Sequence, residues 1–327
     1  MSLGFLIKLQ ILWALYDIQK IYYPVLAAVG VPVNVVTIVI LSRGKCGLSK
    51  CITHYLVAMA TADLLVVIID LILRQIPIVY WEQFSIVRII PLCNIHAVLL
   101  YAATDCSVWF TVTFTFDRFV AICCQKLKGK YCTEKAATVV LGTVIVLSFL
   151  KNVFWYFLYT SEYWLSNSSW FCRVTVGVSH SLAWAIVELI HYILTPFVPF
   201  LLILLFNALT VRHIIVASRV RRRLQCRSNG ETPSDPEMGN RRKSMILLFV
   251  ISGNFILLWV VFMVCSILRR LDYLEYSVPL PTFVREIGLM LQLLSCCTNT
   301  FIYAVTQNKF RQELKNGVRY PLTIMGK

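Results

Sequence analysis

Seven long apolar runs divide this chain, at roughly 21–42, 52–73, 93–122, 136–158, 183–215, 244–268 and 283–305. Each is long enough to cross the ~30 Å hydrocarbon core of a bilayer as a helix, which satisfies all of its own backbone hydrogen bonds there. Composition agrees. Hydrophobic residues make up 58% of the 327 and the mean hydropathy is +0.73, so much of the apolar surface must face lipid. The expected fold class is an all-α membrane protein: a seven-transmembrane helix bundle forming one domain over 1–327. Pro24 and Pro32 in the first run and Pro196 and Pro199 in the fifth are tolerable in membrane helices, where neighbours re-satisfy freed carbonyls.

The net charge of +15 would suit a nucleic-acid partner only if the basic residues gathered on a soluble domain, and the sequence has none. Lys and Arg fall instead in alternate connections: 3 in 43–50, 5 in 118–135, 9 in 212–243 and 5 in 309–327, or 22 of the 31. Short loops with that excess are cytoplasmic, which puts the amino terminus outside and the carboxyl terminus inside and requires an odd number of spans. A multi-pass plasma-membrane protein is expected. Residues 1–20 read as an extracellular lead-in, since Lys8 interrupts the apolar stretch and no small-residue cleavage site follows. Residues 216–243 read as a flexible cytoplasmic loop with a disordered centre. The tail, 306–327, carries Phe310 and Leu314 among Lys309, Arg311 and Lys315, the pattern of a short amphipathic helix on the inner leaflet.

The third run carries a cysteine at one end and Asp117-Arg118-Phe119 at the other. Cys93 to Arg118 is 25 residues, roughly 37 Å as a helix, so the two ends reach opposite interfaces. Of the twelve cysteines, most lie within spans or on the cytoplasmic side, where thiols stay reduced; Cys93 and Cys172 fall outside. A Cys93–Cys172 bridge would pin the second outer loop to the top of span three, and Asn167-Ser168-Ser169 on that loop is a glycosylation acceptor.

Seven spans, the outer cysteine pair and the Asp-Arg-Phe triplet resemble the rhodopsin-like G-protein-coupled receptors over nearly the whole chain. Further positions match: Asn34 in GVPVNVVTIVIL, Asp63 in YLVAMATADLLVV, Trp259 in LLWVVF, and Asn299 with Tyr303 in NTFIY. The wording of spans one and two and the NTFIY box is most similar to the orphan group containing G-protein-coupled receptor 139. The resemblance implies a receptor that binds a ligand in an outer pocket and activates heterotrimeric G proteins through Asp117, Arg118, Phe119, Asn207, Trp259, Asn299 and Tyr303. Several positions depart from the family pattern. Phe119 replaces the usual tyrosine, Val261 and Thr300 replace prolines, Asn207 stands where a tyrosine is common, and span four lacks its tryptophan. Arg241 stands where many members carry an acid that holds the span-three arginine, so no such inter-helix lock is expected, leaving Asp117 as Arg118's local partner.

In the resembled family an aspartate like Asp63 joins a sodium site with serines on spans three and seven, here Ser107 and Ser295. Oxygen ligands suit a hard cation; the alternative is a hydrogen-bonded Asp63 without an ion. No other cofactor is expected. Asp105 on span three with Glu188 and His191 on span five form either a structural clamp or a polar anchor for ligand. Asp70, Arg74 and Arg269 would ring the mouth of the pocket, with Tyr101, Thr104, Phe262 and Gln292 lining it. Leu100 stands where amine receptors carry an aspartate and Leu293 where opsins carry the retinal-linked lysine, which disfavours both ligand classes. Acids, a histidine and arginines among aromatics suit an amino-acid-like molecule or a short peptide. No nucleophile–base pair, phosphate-cradling glycine loop or spaced Cys/His metal motif lies on a soluble segment, so no catalysis is expected. Arg241-Arg242-Lys243-Ser244 reads as a kinase site or, preferred here, as a helix cap at Ser244. A transporter or channel would need a repeat or broken helices, which are not seen, and a non-coupling decoy receptor is the remaining rival.

Overall fold

The computed structural model describes residues 3–80, 90–158, 182–225, 236–273 and 281–325, and these are helical apart from short turns. Seven helices are long and apolar enough to cross a membrane: Leu6–Ser42, Lys50–Val79, Asn94–Cys123, Glu134–Tyr156, Ala185–Val220, Ser244–Arg269 and Thr282–Thr306. They are called spans one to seven below. Ser49 and Thr133 open spans two and four with their hydroxyls, accepting from the Ile52 and Ala136 amides at 3.4 and 3.2 Å.

Span three is the axis of the bundle and touches spans two, four, five and six. Its apolar window is 61% buried, against 22% for span four, which therefore rides on the lipid side. Glycine sets two close approaches. A Cβ on Gly30 would meet Cys297 Sγ at 2.6 Å and one on Gly288 would meet the Phe262 nitrogen at 2.8 Å, so spans one and six can lie against span seven only without those side chains.

Three features differ from the sequence reading. Residues 3–20, read as a lead-in, belong to one unbroken helix, Leu3–Ser42, whose Leu6–Ser42 portion of 37 residues is about 55 Å long and outruns the bilayer. The helix of span six begins at Pro236, so Ser244 lies two turns inside it and is not a cap. The 216–243 loop is helical to Gln225 and again from Pro236, and its centre, 226–235, lies outside the described residues. Span five breaks its helix at Thr195, whose backbone is extended (φ −152°, ψ 112°), and span two widens into π-helical winding at Val67–Gln75. Such insertions recur at functional sites. The tail forms the helix Asn308–Met325, with Phe310 fully buried against Tyr303 at a ring separation of 5.9 Å.

Candidate functional site

At one end of the bundle, spans two, three, five, six and seven surround a narrow cleft of about 100 Å³. The π-helical stretch of span two presents Asp70 and Arg74, joined at 3.1 Å, with Gln75 donating to the same Asp70 oxygen at 3.0 Å. Span three contributes Tyr101 and Thr104, span five His191, and spans six and seven Phe262, Arg269 and Gln292. Aromatic rings fix the wall. Tyr101 stacks on Trp155 at 4.1 Å, and His191 meets both rings edge-on at 5.0 and 5.4 Å. Gln292 is 3% exposed, and its side-chain Oε1 has no hydrogen-bond partner among the described residues, unlike its backbone carbonyl.

Two residues expected in this pocket are elsewhere. Asp105 does not face His191; its carboxylate takes Lys151 at 2.8 Å and Asn152 at 2.6 Å from span four. Lys151 also donates to Thr195 at 3.0 Å, and the Trp109 indole reaches the same hydroxyl at 3.2 Å, so the network ties spans three, four and five together. Glu188 is buried on span five but does not line the cleft. Arg285 of span seven, which sequence reasoning passed over, does line it. Lys151 was findable, because an ionised side chain in the middle of an apolar run needs a partner. Arg285 was hidden by its position at a span's end, where a basic residue ordinarily snorkels.

Below the cleft, Trp259 donates to Ser295 at 2.9 Å, and Ser295 donates in turn to the Gln292 carbonyl at 2.6 Å. Asp63 receives Ser107 at 2.6 Å on one oxygen and the Asn299 amide at 2.7 Å on the other. Asp63, Ser107 and Asn299 thus meet, while Ser295, expected beside them, is engaged by Trp259. Asn34 donates to the Gly30 and Cys296 carbonyls at 2.9 Å each, tying span one to span seven. Thr300 stands where the family has proline and bonds Thr37 at 2.8 Å and the Val33 carbonyl at 3.1 Å. Tyr303 is wholly buried and its hydroxyl has no partner among the described residues.

At the opposite end, Arg118 is 5% exposed and pairs with Asp117 through Nε at 3.0 Å and through Nη2. Its Nη1 crosses to span six and donates to Ser244 Oγ at 3.2 Å. An inter-helix hold on Arg118 therefore exists, with a neutral serine in the role that an acid fills in many relatives. The expectation that Arg241 leaves Arg118 with only a local partner is corrected accordingly. Asp117 also accepts from Cys51 at 3.3 Å, and its carbonyl from Cys132 at 3.5 Å. Burial and the Asp117 carboxylate push the Cys132 thiol up to about 12, so it stays protonated at neutral pH. Phe119 stacks on Phe206 of span five at 5.7 Å. The neighbouring Asn207 is half-buried, with its side-chain oxygen unpartnered among the described residues. Cys172 and Asn167 lie outside the described residues, as does the side chain of Cys93.

Comparison with known proteins agrees with this arrangement. The family described as 7 transmembrane receptor (rhodopsin family) matches residues 33–303. The chain is 26% identical over 308 residues to 5-hydroxytryptamine receptor 4 of Cavia porcellus, covering 85% of this chain and 74% of that receptor. It is 24% identical over 310 residues to C5a anaphylatoxin chemotactic receptor 1 of Oncorhynchus mykiss, covering 91% and 80%. It is 24% identical over 306 residues to probable G-protein coupled receptor 142 of Mus musculus, covering 91% and 72%. These relatives are receptors, not enzymes. With seven membrane-spanning helices and a family match over most of its length, the chain belongs to the rhodopsin family of seven-transmembrane receptors.

Proposed function

We propose that this protein is a plasma-membrane receptor that binds a small ligand in the cleft at the Arg74 end and activates a heterotrimeric G protein at the Arg118 end. The observation that carries this reading is that the cleft and the Arg118–Ser244 contact sit at opposite ends of the same helices, spans three and six, with Trp259 between them. A ligand that grips spans three, six and seven favours one arrangement of those helices. By population shift it then loosens or tightens the far end. The loop distribution of Lys and Arg supports an Arg118 end facing the cytoplasm.

The cleft supports an acidic ligand with an aromatic or apolar body. Arg74, Arg269 and Arg285 line it; Arg74 pairs with Asp70 at 3.1 Å and Arg285 with Glu286 at 3.8 Å, so three guanidinium groups meet two carboxylates, an excess that suits a ligand carboxylate. Tyr101, His191 and Phe262 offer ring faces, and the free Gln292 oxygen asks for a donor such as an amine or amide. An amino-acid-like molecule or a short peptide meets all three demands. Leu100 offers nothing to a monoamine's ammonium group, although one relative's name is that of an amine receptor. Within the family we place the chain with the orphan group containing G-protein-coupled receptor 139. The Cys93–Cys172 bridge and glycosylation at Asn167 belong to the same reading.

Asp63 and Ser107 are the oxygens that would hold a sodium ion, the expected third, Ser295, being engaged by Trp259. Sodium is therefore a weak ligand of this site.

Guanine-nucleotide exchange with a panel of purified G proteins tests the proposal. Exchange above the receptor-free rate that is lost in Arg118→Ala supports it. Ligand binding in the cleft with no exchange from any G protein would make the chain a decoy, a reading that Val261 and the Thr300 anchor to span one favour.

A further inference from the structure

A lysine near the end of a membrane helix ordinarily runs its stem outward and keeps its ammonium in the interface. Lys151 does the opposite. It stands five residues from Tyr156 at the end of span four, roughly 7.5 Å along the helix, and turns inward onto Asp105 at 2.8 Å and Thr195 at 3.0 Å. Two of its three N–H groups are thereby used, and the third has no acceptor among the described residues. The side chain is nonetheless 21% exposed. It opens on a groove of about 420 Å³ between spans three, four and five, walled by Trp109, Leu147, Leu150 and Leu194 with Asp105 and Lys151 as its polar edge. Leu147 and Leu150 are 58% and 65% exposed, so in a bilayer this groove faces lipid chains, and it is several times roomier than the cleft inside the bundle.

We propose that this groove binds a single-chain amphiphile dissolved in the bilayer, with a small neutral head such as a carboxamide or alcohol, whose oxygen accepts the unused Lys151 N–H. The chain then lies along Leu147, Leu150 and Leu194. Each feature of that ligand follows from the site. An acceptor is required because a desolvated ammonium with an unmet donor is costly. Neutrality follows because Asp105 already balances Lys151, and an anionic head would set two anions on one ammonium in a medium of low dielectric. A phospholipid's charged head stays in the headgroup layer, above the depth of Lys151, whereas a small neutral head can descend to it.

Thr195 carries the effect inward. Its backbone is where span five leaves the helix, and its hydroxyl accepts from Lys151 and, at 3.2 Å, from Trp109, both of which line the groove. Thr195 also lines the cleft. One residue thus joins the two cavities, so an occupant that draws on Lys151 steadies the cleft wall at the break. Such coupling is reciprocal, and a cleft ligand shifts the affinity for the lipid by the same factor as the lipid shifts that of the cleft ligand. This consequence rests on the cleft being a ligand site; binding in the groove does not.

The test uses the full chain in lipid nanodiscs and, as probe, a long-chain primary amide with a diazirine in its chain. Photolabelled peptides are located by mass spectrometry. Wild type should be labelled saturably on span four at 144–151 and on span five near Leu194, and unlabelled amide should compete. Leu147→Trp, a lipid-facing change that fills the groove, and Asp105→Leu/Lys151→Leu, which removes the pair without leaving a lone charge, should each be labelled at least ten-fold less. An alkyl sulfonate of the same chain length, which is always ionised, should compete at least ten-fold more weakly than the amide. On saturation, the backbone amides of 193–195 should exchange with deuterium several-fold more slowly. Labelling that does not saturate, labelling of the double variant equal to wild type, or a sulfonate that competes as well as the amide overturns the proposal. Saturable labelling with unchanged exchange at 193–195 overturns the coupling to the cleft. No arm uses a G protein or a cleft ligand, so a chain that fails to signal can still bind the amide, and a signalling receptor with an unlabelled groove removes this inference alone.

Discussion

Asp105 and Asp117 are both carboxylates buried in span three, and each holds a cation, but they find it in different places. Asp105 takes Lys151 from span four, whereas Asp117 takes Arg118 from the next position in its own helix. The Asp105 pair fastens two helices together, and Thr195 with Trp109 extends the tie to span five. The Asp117 pair neutralises a buried guanidinium within one helix, and its carboxylate reaches another span only through the Cys51 thiol at 3.3 Å. What joins Arg118 to span six is one hydrogen bond to a serine. One end of span three is therefore built as a fixed frame. At the other, the hold on Arg118 is a single hydrogen bond worth about 1 kcal/mol, with the Thr115 and Ser252 hydroxyls 3.5 Å apart one turn away along span three.

Removing the frame's cation should have the largest effect. Lys151→Ala leaves Asp105 as an uncompensated buried charge, a change that typically costs about 3–5 kcal/mol. Loss of surface expression and a lowered unfolding temperature are expected. The double variant Asp105→Leu/Lys151→Leu should recover much of the stability, since both charges leave together. A Lys151→Ala protein as stable as wild type would break the comparison at its rigid end.

A smaller effect is expected at the mobile end. Ser244→Ala removes about 1 kcal/mol of hold on Arg118, which raises an open fraction by roughly five-fold. Ligand-free nucleotide exchange at matched surface expression should rise by that order while unfolding temperature barely moves. Unchanged basal exchange would mean that span six, which has Val261 where the family's pivoting proline stands, is kept shut by something other than Ser244.

Position 241 sharpens the same end further. Arg241→Glu restores the acid found in many relatives, and a partly exposed pair contributes up to ~1 kcal/mol. Basal exchange should fall two- to three-fold while ligand-stimulated exchange survives. At Asp63 the expected effect is the smallest. A weakly held sodium ion raises the unfolding temperature slightly in wild type and not at all in Asp63→Asn, whose amide carries no charge for it. Sodium dependence that persists in Asp63→Asn would exclude the site.

The bundle itself was legible because hydrophobic runs near 20 residues admit little besides helices in lipid, and the ends of spans two to seven lie within about six residues of where the sequence places them. Span one was cut short because Lys8 read as a break, although a helix can carry it beyond the bilayer. The site was legible where a residue type alone is diagnostic, as with Asp63, Arg118 and Trp259. It was illegible where facing depends on helix phase. The π-helical winding in span two and the break at Thr195 in span five shift the register, which a 3.6-residue period does not anticipate. Asp105 was accordingly assigned to His191 rather than to Lys151. Ser244 was misplaced for another reason: the polar residues before it read as loop, while the helix already runs through them from Pro236.

The contrast between a fastened frame and a loosely held span six is tested most directly by distance. Spin-label pairs would report the Arg118 ends of spans three and six, and of spans three and four, in ligand-free receptor in nanodiscs. In Ser244→Ala the three-to-six distribution should gain a population at longer distance while the three-to-four distribution stays narrow and unmoved. A three-to-six distribution identical to wild type, or a three-to-four distribution that broadens equally, would contradict the account.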